Sequence, residues 1–120
     1  MAKKILIIDD EAEIISYLKD IFEEAGYVTV SAKNGVEGIE VAQVQQPDLI
    51  TLDMDMPARG GTLFYVKLRQ EPRLADIPVI VISGVGPRPP SIAKNVPVIT
   101  KPVDPAKTLR LVKEMLGETE

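Results

Sequence analysis

Hydrophobic residues are grouped into five short runs along the chain, separated by longer segments of mixed polarity. Four of these runs are nearly continuous and rich in β-branched residues, which is typical of strands buried on both faces of a parallel sheet. The fifth run alternates more and fits an edge strand. The continuous runs are residues 5–8, 49–52, 79–82 and 96–99, and the alternating run is residues 27–30. The pattern therefore predicts a five-stranded sheet.

Between the strands, apolar residues recur at helical spacing. Ile14, Leu18 and Phe22 lie on one face of a predicted helix that ends at Gly26. Further helices are predicted around residues 36–42, 63–68 and 105–116. Alternating strands and helices form a parallel sheet with right-handed crossovers and helices on both faces. We therefore expect an α/β fold with a flavodoxin-like, doubly wound five-stranded parallel sheet of order 2-1-3-4-5, in one domain over residues 1–120.

The connection between the fourth and fifth strands departs from this pattern. Residues 84–95 contain the pair Pro89 and Pro90, which keeps the backbone before it out of the helical region. The residues after the pair amount to barely one helical turn, too few for a helix without tertiary support. The sequence predicts that the helix expected here is missing or reduced to a single turn. Without this helix, the fifth strand and the inner face of the last helix would be less covered, and Ile92, Val85 or a partner would have to compensate.

Composition limits the chemistry available to the 120 residues. The chain has no cysteine and no histidine, which excludes Ser-His-Asp catalysis, disulfides and zinc sites built from thiolates or imidazoles. A bound metal would need oxygen ligands, as magnesium and calcium do. A net charge of −4 argues against nucleic-acid binding through a basic surface. No apolar stretch approaches the ~20 residues of a membrane span and no signal peptide precedes the first strand, so we expect a cytoplasmic protein.

Polar residues follow the ends of four predicted strands. They are Asp9 and Asp10, Asp53 and Asp55, Ser83, and Lys101. Taken singly, each has an ordinary role as a helix cap, a turn residue or a solvated charge. The carboxyl ends of parallel strands share one edge, however, and several carboxylates gathered there favour a divalent cation such as Mg²⁺. A lysine and a hydroxyl opposite them would bind phosphoryl oxygens, which indicates an aspartyl-phosphate site.

At these positions the sequence resembles the receiver domains of two-component response regulators. The matching stretches cover nearly the whole chain and are residues 5–11, residues 47–57 with Gly61, residues 77–84 and residues 100–102. The resemblance implies that Asp53 is the phosphoacceptor. It also implies that Asp9 and Asp10 are the acidic pair that binds Mg²⁺, the second as a direct ligand, with Asp53 and the backbone carbonyl of Asp55 completing the protein's ligands.

The same resemblance assigns roles to the other side of the site and to partners. Ser83 matches the switch hydroxyl that moves toward the phosphoryl group, and Lys101 matches the lysine that pairs with it. The implied donor is a histidine kinase or histidine phosphotransfer protein, and the output is binding to a downstream protein target. The domain would be a phosphoacceptor with phosphotransfer and autodephosphorylation activity only, rather than an enzyme. It would be a monomer or weak dimer that binds neither nucleic acid nor membranes directly.

Two positions depart from the family pattern. Three residues before Lys101 the family usually carries an aromatic residue that rotates with the switch hydroxyl, whereas this chain has Val98. Two residues after Asp53 stands the acid Asp55, which is either a solvated loop residue or a group that tunes hydrolysis or the choice of donor.

Two other functions remain open at this point. Val98 and the shortened connection fit a protein-interaction adaptor that keeps the fold and works without phosphorylation. The Asp53-Met54-Asp55 sequence also matches the D-x-D signature of aspartate-nucleophile phosphatases, in which the second aspartate is the general acid. That signature normally follows the first core strand, and here it follows the third.

Overall fold

A computed structural model describes residues 2–84 and 92–118. The described chain contains five strands and four α-helices, which alternate except between the fourth and fifth strands, and a short 3₁₀ turn precedes the third helix. The elements are β1 (Lys4–Ile8), α1 (Ala12–Glu24), β2 (Val28–Ala32), α2 (Gly35–Gln45), β3 (Leu49–Asp53), the 3₁₀ turn (Pro57–Arg59), α3 (Gly60–Gln70), β4 (Val79–Ser83), β5 (Val98–Thr100) and α4 (Pro105–Met115). Among these described helices, none is both long and apolar enough to cross a lipid bilayer.

The five strands form one parallel sheet in the order β2-β1-β3-β4-β5. This confirms the predicted doubly wound, flavodoxin-like α/β fold. Both faces of the central strands are buried, as their continuous apolar runs predict. Alternate residues of a strand point to opposite faces, so Leu6 and Ile8 pack on the side of α2 and α3, and Ile5 and Ile7 on the side of α1 and α4.

The bounds of two strands differ from the prediction. β2 continues to Ala32, because the end of this strand pairs with the end of β1. Tyr27 instead belongs to the turn after α1, where its N–H donates to the carbonyl of Phe22. β5 begins at Val98 rather than at residue 96. Pro97 has no N–H to donate and contributes only its carbonyl, which accepts a hydrogen bond from the Val81 N–H.

The predicted start of the last helix is confirmed. Asp104 caps α4, accepting hydrogen bonds from the N–H groups of Ala106 and Lys107 at 2.9 and 3.2 Å, and Pro105 occupies the first helical position.

The connection before β5 contains no helix in its described part, which is Gly84 and residues 92–97. Residues 85–91, with Val85 and the proline pair, lie outside the described residues. Ile92 is only 3% exposed and joins the buried cluster on the α2 and α3 side of the sheet, together with Val79 and Val81. Ile92 therefore adds cover on the α2 and α3 side of the sheet, whereas α4 packs in the cluster on the other side.

Truncating Ile92 tests this role. We expect Ile92→Ala to lower the free energy of unfolding by about 2–4 kcal/mol and Ile92→Val by about 1 kcal/mol, as for buried isoleucines elsewhere. Urea denaturation followed by circular dichroism measures both changes, and Lys94→Ala, at an exposed position of the same segment, is the matched control. A loss below about 0.5 kcal/mol for Ile92→Ala would show that the segment does not anchor on the sheet.

Candidate functional site

The ends of four strands meet at one edge of the sheet. Asp9 directly follows β1, Asp53 ends β3, Ser83 ends β4 and Lys101 follows β5. β3 lies between β1 and β4, so Asp53 is flanked by the acidic pair on one side and by Ser83 on the other. The topology thus brings together the residues that the sequence places at the carboxyl ends of the strands.

Asp9, Asp10 and Asp53 form a cluster of carboxylates. One oxygen from each residue can be chosen so that all three lie within 4.8 Å of one another. Asp9 and Asp53 are 1% and 2% exposed, whereas Asp10 is exposed. Asp9 Oδ1 accepts a hydrogen bond from the Glu11 N–H at 2.9 Å, and Asp9 Oδ2 is buried with no hydrogen-bond donor among the described residues. A buried, unpaired carboxylate oxygen beside two other acids is a donor set that fits a hard divalent cation.

The electrostatics of Asp9 agree with that fit. Burial raises the pKa of the Asp9 carboxyl to about 6, the hydrogen bond from Glu11 opposes this rise, and the charge of Asp53 adds to it. Near neutral pH a cation next to Asp9 would stabilise the ionised form that burial disfavours. The cluster is therefore suited to hold Mg²⁺ through oxygen atoms.

Lys101 faces Asp53 from the other side. Its Nζ lies 3.2 Å from Asp53 Oδ1 and 3.0 Å from Asp55 Oδ2. Asp53 Oδ1 also accepts a hydrogen bond from the Asp55 N–H at 2.9 Å. A lysine and a backbone donor thus fix the position of the Asp53 carboxylate, and the lysine supplies positive charge beside it.

Asp55 is held by several donors and is not a freely solvated acid. Its side chain is 30% exposed, yet Oδ2 accepts a hydrogen bond from the Gly84 N–H at 2.9 Å and pairs with Lys101. Ser83 Oγ donates to Asp55 Oδ1 across a longer distance of 3.4 Å. Burial alone would raise the pKa of this carboxyl, but the Gly84 N–H and Lys101 together hold it below its usual value. Asp55 is therefore a carboxylate at neutral pH.

Lys101 shows the matching effect. Partial burial alone would lower the pKa of its ammonium group, and the two carboxylates that it contacts raise the pKa above its usual value. Lys101 therefore keeps its positive charge at any pH at which the protein is expected to work.

All six site residues predicted from the sequence lie at this edge, and one participant was missed. Gly84 contributes a backbone N–H, and the sequence offered no signal for this beyond its place after the fourth strand. Val98, at the position where the family usually has an aromatic residue, is 37% exposed on the edge strand. The role of the Asp55 backbone carbonyl as a metal ligand stays a prediction.

A separate apolar groove lies between α2 and α3. Its volume is about 490 Å³, and Val36, Ile39, Leu63 and Phe64 are among the side chains that line it. A ligand site that orients its ligand needs a few converging polar groups. The acidic edge of the sheet provides these, whereas apolar side chains dominate the groove.

The chain is similar to known proteins over most of its length. The family model described as "Response regulator receiver domain" matches residues 5–113. Protein Rrf1 of Nitratidesulfovibrio vulgaris is 30% identical over 117 residues, covering 98% of this chain and 85% of that protein. The DNA-binding dual master transcriptional regulator RpaA of Synechocystis sp. is 35% identical over 121 residues, covering 98% of this chain but 50% of that protein.

A solved structure is similar over the same length. It is the signal receiver domain of a signal transduction histidine kinase from Syntrophus aciditrophicus, with a TM-score of 0.86 and 32% identity. The alignment covers 99% of this chain and 93% of that one.

Proposed function

Because this chain belongs to the family of response regulator receiver domains, we propose that it accepts a phosphoryl group on Asp53 and thereby switches its binding to a downstream protein. The observation that carries this proposal is the position of Asp53, a buried carboxylate between the acidic cluster and Lys101 Nζ. We extend the proposal to residues 1–120 acting as a single receiver domain.

The phosphoryl donor would be a phosphohistidine on a histidine kinase or phosphotransfer protein. The 120 residues contain no histidine, so the donor histidine has to lie outside them. The Asp53 carboxylate attacks phosphorus in line with the leaving imidazole, the P–N bond breaks, and the imidazole nitrogen keeps the electron pair and takes up a proton. Hydrolysis later breaks the acyl P–O bond and returns Asp53 and inorganic phosphate.

Residues of this chain would supply the charge and the donors for that step. Asp9, Asp10, Asp53 and the backbone carbonyl of Asp55 would hold Mg²⁺, which when bound neutralises negative charge on the carboxylates and on the phosphoryl oxygens. Lys101 would pair with a phosphoryl oxygen on the opposite side. Ser83, at the end of β4, would donate a hydrogen bond from its hydroxyl to the same phosphoryl group. This contact would couple phosphorylation to the segment that follows.

The phosphatase alternative receives no support from Asp55. A general acid has to carry a proton, whereas the Gly84 N–H and the ion pair with Lys101 hold the pKa of Asp55 below its usual value. A binding-only adaptor makes no use of a buried aspartate paired with a lysine. The lowered pKa of Asp55 and the pairing of the buried Asp53 with Lys101 both favour a phosphoacceptor over these alternatives.

Phosphorylation by acetyl phosphate tests the proposal. With Mg²⁺, intact-protein mass spectrometry should show the added mass of one phosphoryl group on the wild type and on Asp20→Asn, which removes an exposed carboxylate from α1. The addition should be absent from Asp53→Asn and from the wild type in EDTA. An unmodified wild type with Mg²⁺ bound would support the adaptor, and a modified Asp53→Asn would place the acceptor elsewhere.

A further inference from the structure

The Asp55 carboxylate binds the donors that a phosphoryl group on Asp53 would need. Its Oδ2 accepts from the Gly84 N–H at 2.9 Å and lies 3.0 Å from Lys101 Nζ. Its Oδ1 accepts from Ser83 Oγ at 3.4 Å. An ammonium group, a backbone N–H and a hydroxyl that converge on one anion form a small binding site for oxyanions. In this structure the anion in that site is the protein's own side chain.

The side chain of Asp55 serves this site and not the cation cluster. Among the described residues, the carboxylates that gather within 4.8 Å belong to Asp9, Asp10 and Asp53. Asp55 projects to the other side of Asp53, where it shares the Lys101 ammonium with that residue. Lys101 Nζ contacts both carboxylates, so the lysine is already engaged before any phosphoryl group arrives.

The space around Gly84 shows how tightly this arrangement is built. A Cβ atom at Gly84 would lie 3.2 Å from Asp55 Oδ2 and 3.4 Å from Lys101 Cδ. A side chain at position 84 would therefore crowd the Asp55 carboxylate. Because glycine has none, Asp55 Oδ2 can reach the Gly84 N–H. A phosphoryl group on Asp53 would bring negative charge to the same donors and repel the Asp55 carboxylate.

We propose that the Asp55 side chain is an internal competing anion that holds Lys101, Gly84 and Ser83 in the resting state and has to leave when Asp53 is phosphorylated. This inference rests on the proposed function of Asp53. Asp55 thus stabilises the unphosphorylated state and slows the entry of the phosphoryl group. The end of β4 is held by the Asp55 carboxylate before phosphorylation and by the phosphoryl group after it.

The rate of phosphorylation by acetyl phosphate in Mg²⁺ tests the competition. Asp55→Asn keeps the shape of the side chain but removes its charge, and Asp55→Ala removes the competing group altogether. We expect both variants to be phosphorylated at least about tenfold faster than the wild type, with Asp55→Ala the faster of the two. Asp20→Asn makes the same change in net charge away from the site and should match the wild type.

A second readout follows the resting protein directly. The Gly84 amide donates to a charged oxygen, so its ¹H chemical shift should move upfield in Asp55→Ala, in EDTA and without any phosphodonor. With beryllofluoride bound to Asp53, the wild-type Gly84 amide should stay downfield, because the new anion takes over the hydrogen bond from Asp55. In Asp55→Ala, beryllofluoride should return the amide downfield, at concentrations about tenfold lower than those that saturate Asp53 in the wild type. An upfield wild-type amide in beryllofluoride would overturn the exchange of anions.

The outcomes separate the inference from the function on which it rests. Phosphorylation of the wild type on Asp53, with Asp55→Asn and Asp55→Ala reacting no faster, overturns the competing anion and leaves the phosphoacceptor intact. Phosphorylation of the variants but not of the wild type supports both. If neither the wild type nor the variants take up a phosphoryl group or beryllofluoride, the proposed function fails and the inference fails with it.

Discussion

Replacing Gly61 with alanine should lower the free energy of unfolding by about 2–3 kcal/mol, because the site has no room for a methyl group. A Cβ atom at Gly61 would lie 2.7 Å from the backbone oxygen of Asp53, 2.9 Å from Met54 Sδ and 3.0 Å from Met54 Cα. Two of these three atoms belong to the backbone and cannot move aside as the end of a flexible side chain can. The first turn of α3 therefore packs directly against the residue that carries the proposed chemistry.

The same substitution should disturb the site as well as the fold. A shift of the β3 end would move the Asp53 carboxylate relative to Lys101, which it contacts at 3.2 Å. Small misplacements of reacting groups have large kinetic costs, and we expect phosphorylation by acetyl phosphate to slow by at least about tenfold. Thermal denaturation should show a drop in Tm of roughly 10 °C for a domain of this size.

Gly60, the preceding residue, is the matched control for Gly61. A Cβ atom at Gly60 would meet only the Met56 side chain, at 3.5 and 3.6 Å, which is ordinary van der Waals contact. Its φ of −57° is helical, so Gly60→Ala should leave stability unchanged or raise it by up to about 1 kcal/mol. Equal Tm values for Gly60→Ala and Gly61→Ala would show that the close approach of α3 to β3 is not rigid.

Much of the fold could be predicted because hydrophobic periodicity and strand order determine it. The buried runs, the alternation with helices and the cap at Asp104 all follow from local chemistry that the sequence displays. Strand bounds follow from pairing instead. β2 extends to Ala32 because the end of β1 pairs with it there. β5 starts only at Val98 because Pro97 has no N–H to donate. Both effects depend on neighbours in space.

The features of the site likewise divide into those that could be predicted from the sequence and those that could not. The sheet topology alone brings the strand-end residues to one edge, so Asp9, Asp53 and Lys101 could be predicted to meet. The hydrogen-bond partners of the Asp55 side chain could not be predicted, because a loop residue has no period that fixes them. Its partner Gly84 contributes only a backbone N–H, and every residue except proline has one, so the sequence does not distinguish it.

Replacing Asp9 with asparagine should stabilise the protein in EDTA at pH 7–8 by about 2 kcal/mol. Asp9 is almost fully buried, Oδ2 has no hydrogen-bond donor among the described residues, and burial raises its pKa to about 6 from an ordinary value of 3.8. A carboxyl whose pKa rises on folding contributes most to stability when it is protonated, and this contribution is lost as the pH rises through about 6. Asparagine removes the buried charge and keeps an oxygen for the Glu11 N–H.

The sign of the effect should depend on both pH and Mg²⁺. Near pH 4 the two proteins should differ little, since the Asp9 carboxyl is then protonated in the folded wild type. Saturating Mg²⁺ should stabilise the wild type, by about 2.7 kcal/mol at 100 times the Kd, and should stabilise Asp9→Asn less, because the loss of one carboxylate weakens the site by about tenfold or more. Urea denaturation at pH 4, 6 and 8, with EDTA or Mg²⁺, measures all of these changes.

Asp10→Asn separates the buried charge from the loss of a carboxylate. Asp10 belongs to the same cluster and carries the same charge, but its side chain is exposed. Asp10→Asn should weaken Mg²⁺ binding without the large gain in stability in EDTA, because water already solvates the charge that it removes. If both variants gained equally in EDTA, general repulsion within the cluster would explain the gain. If Asp9→Asn alone gained, and the gain vanished near pH 4, burial of the Asp9 carboxylate would be its source, and Mg²⁺ would offset that cost by binding.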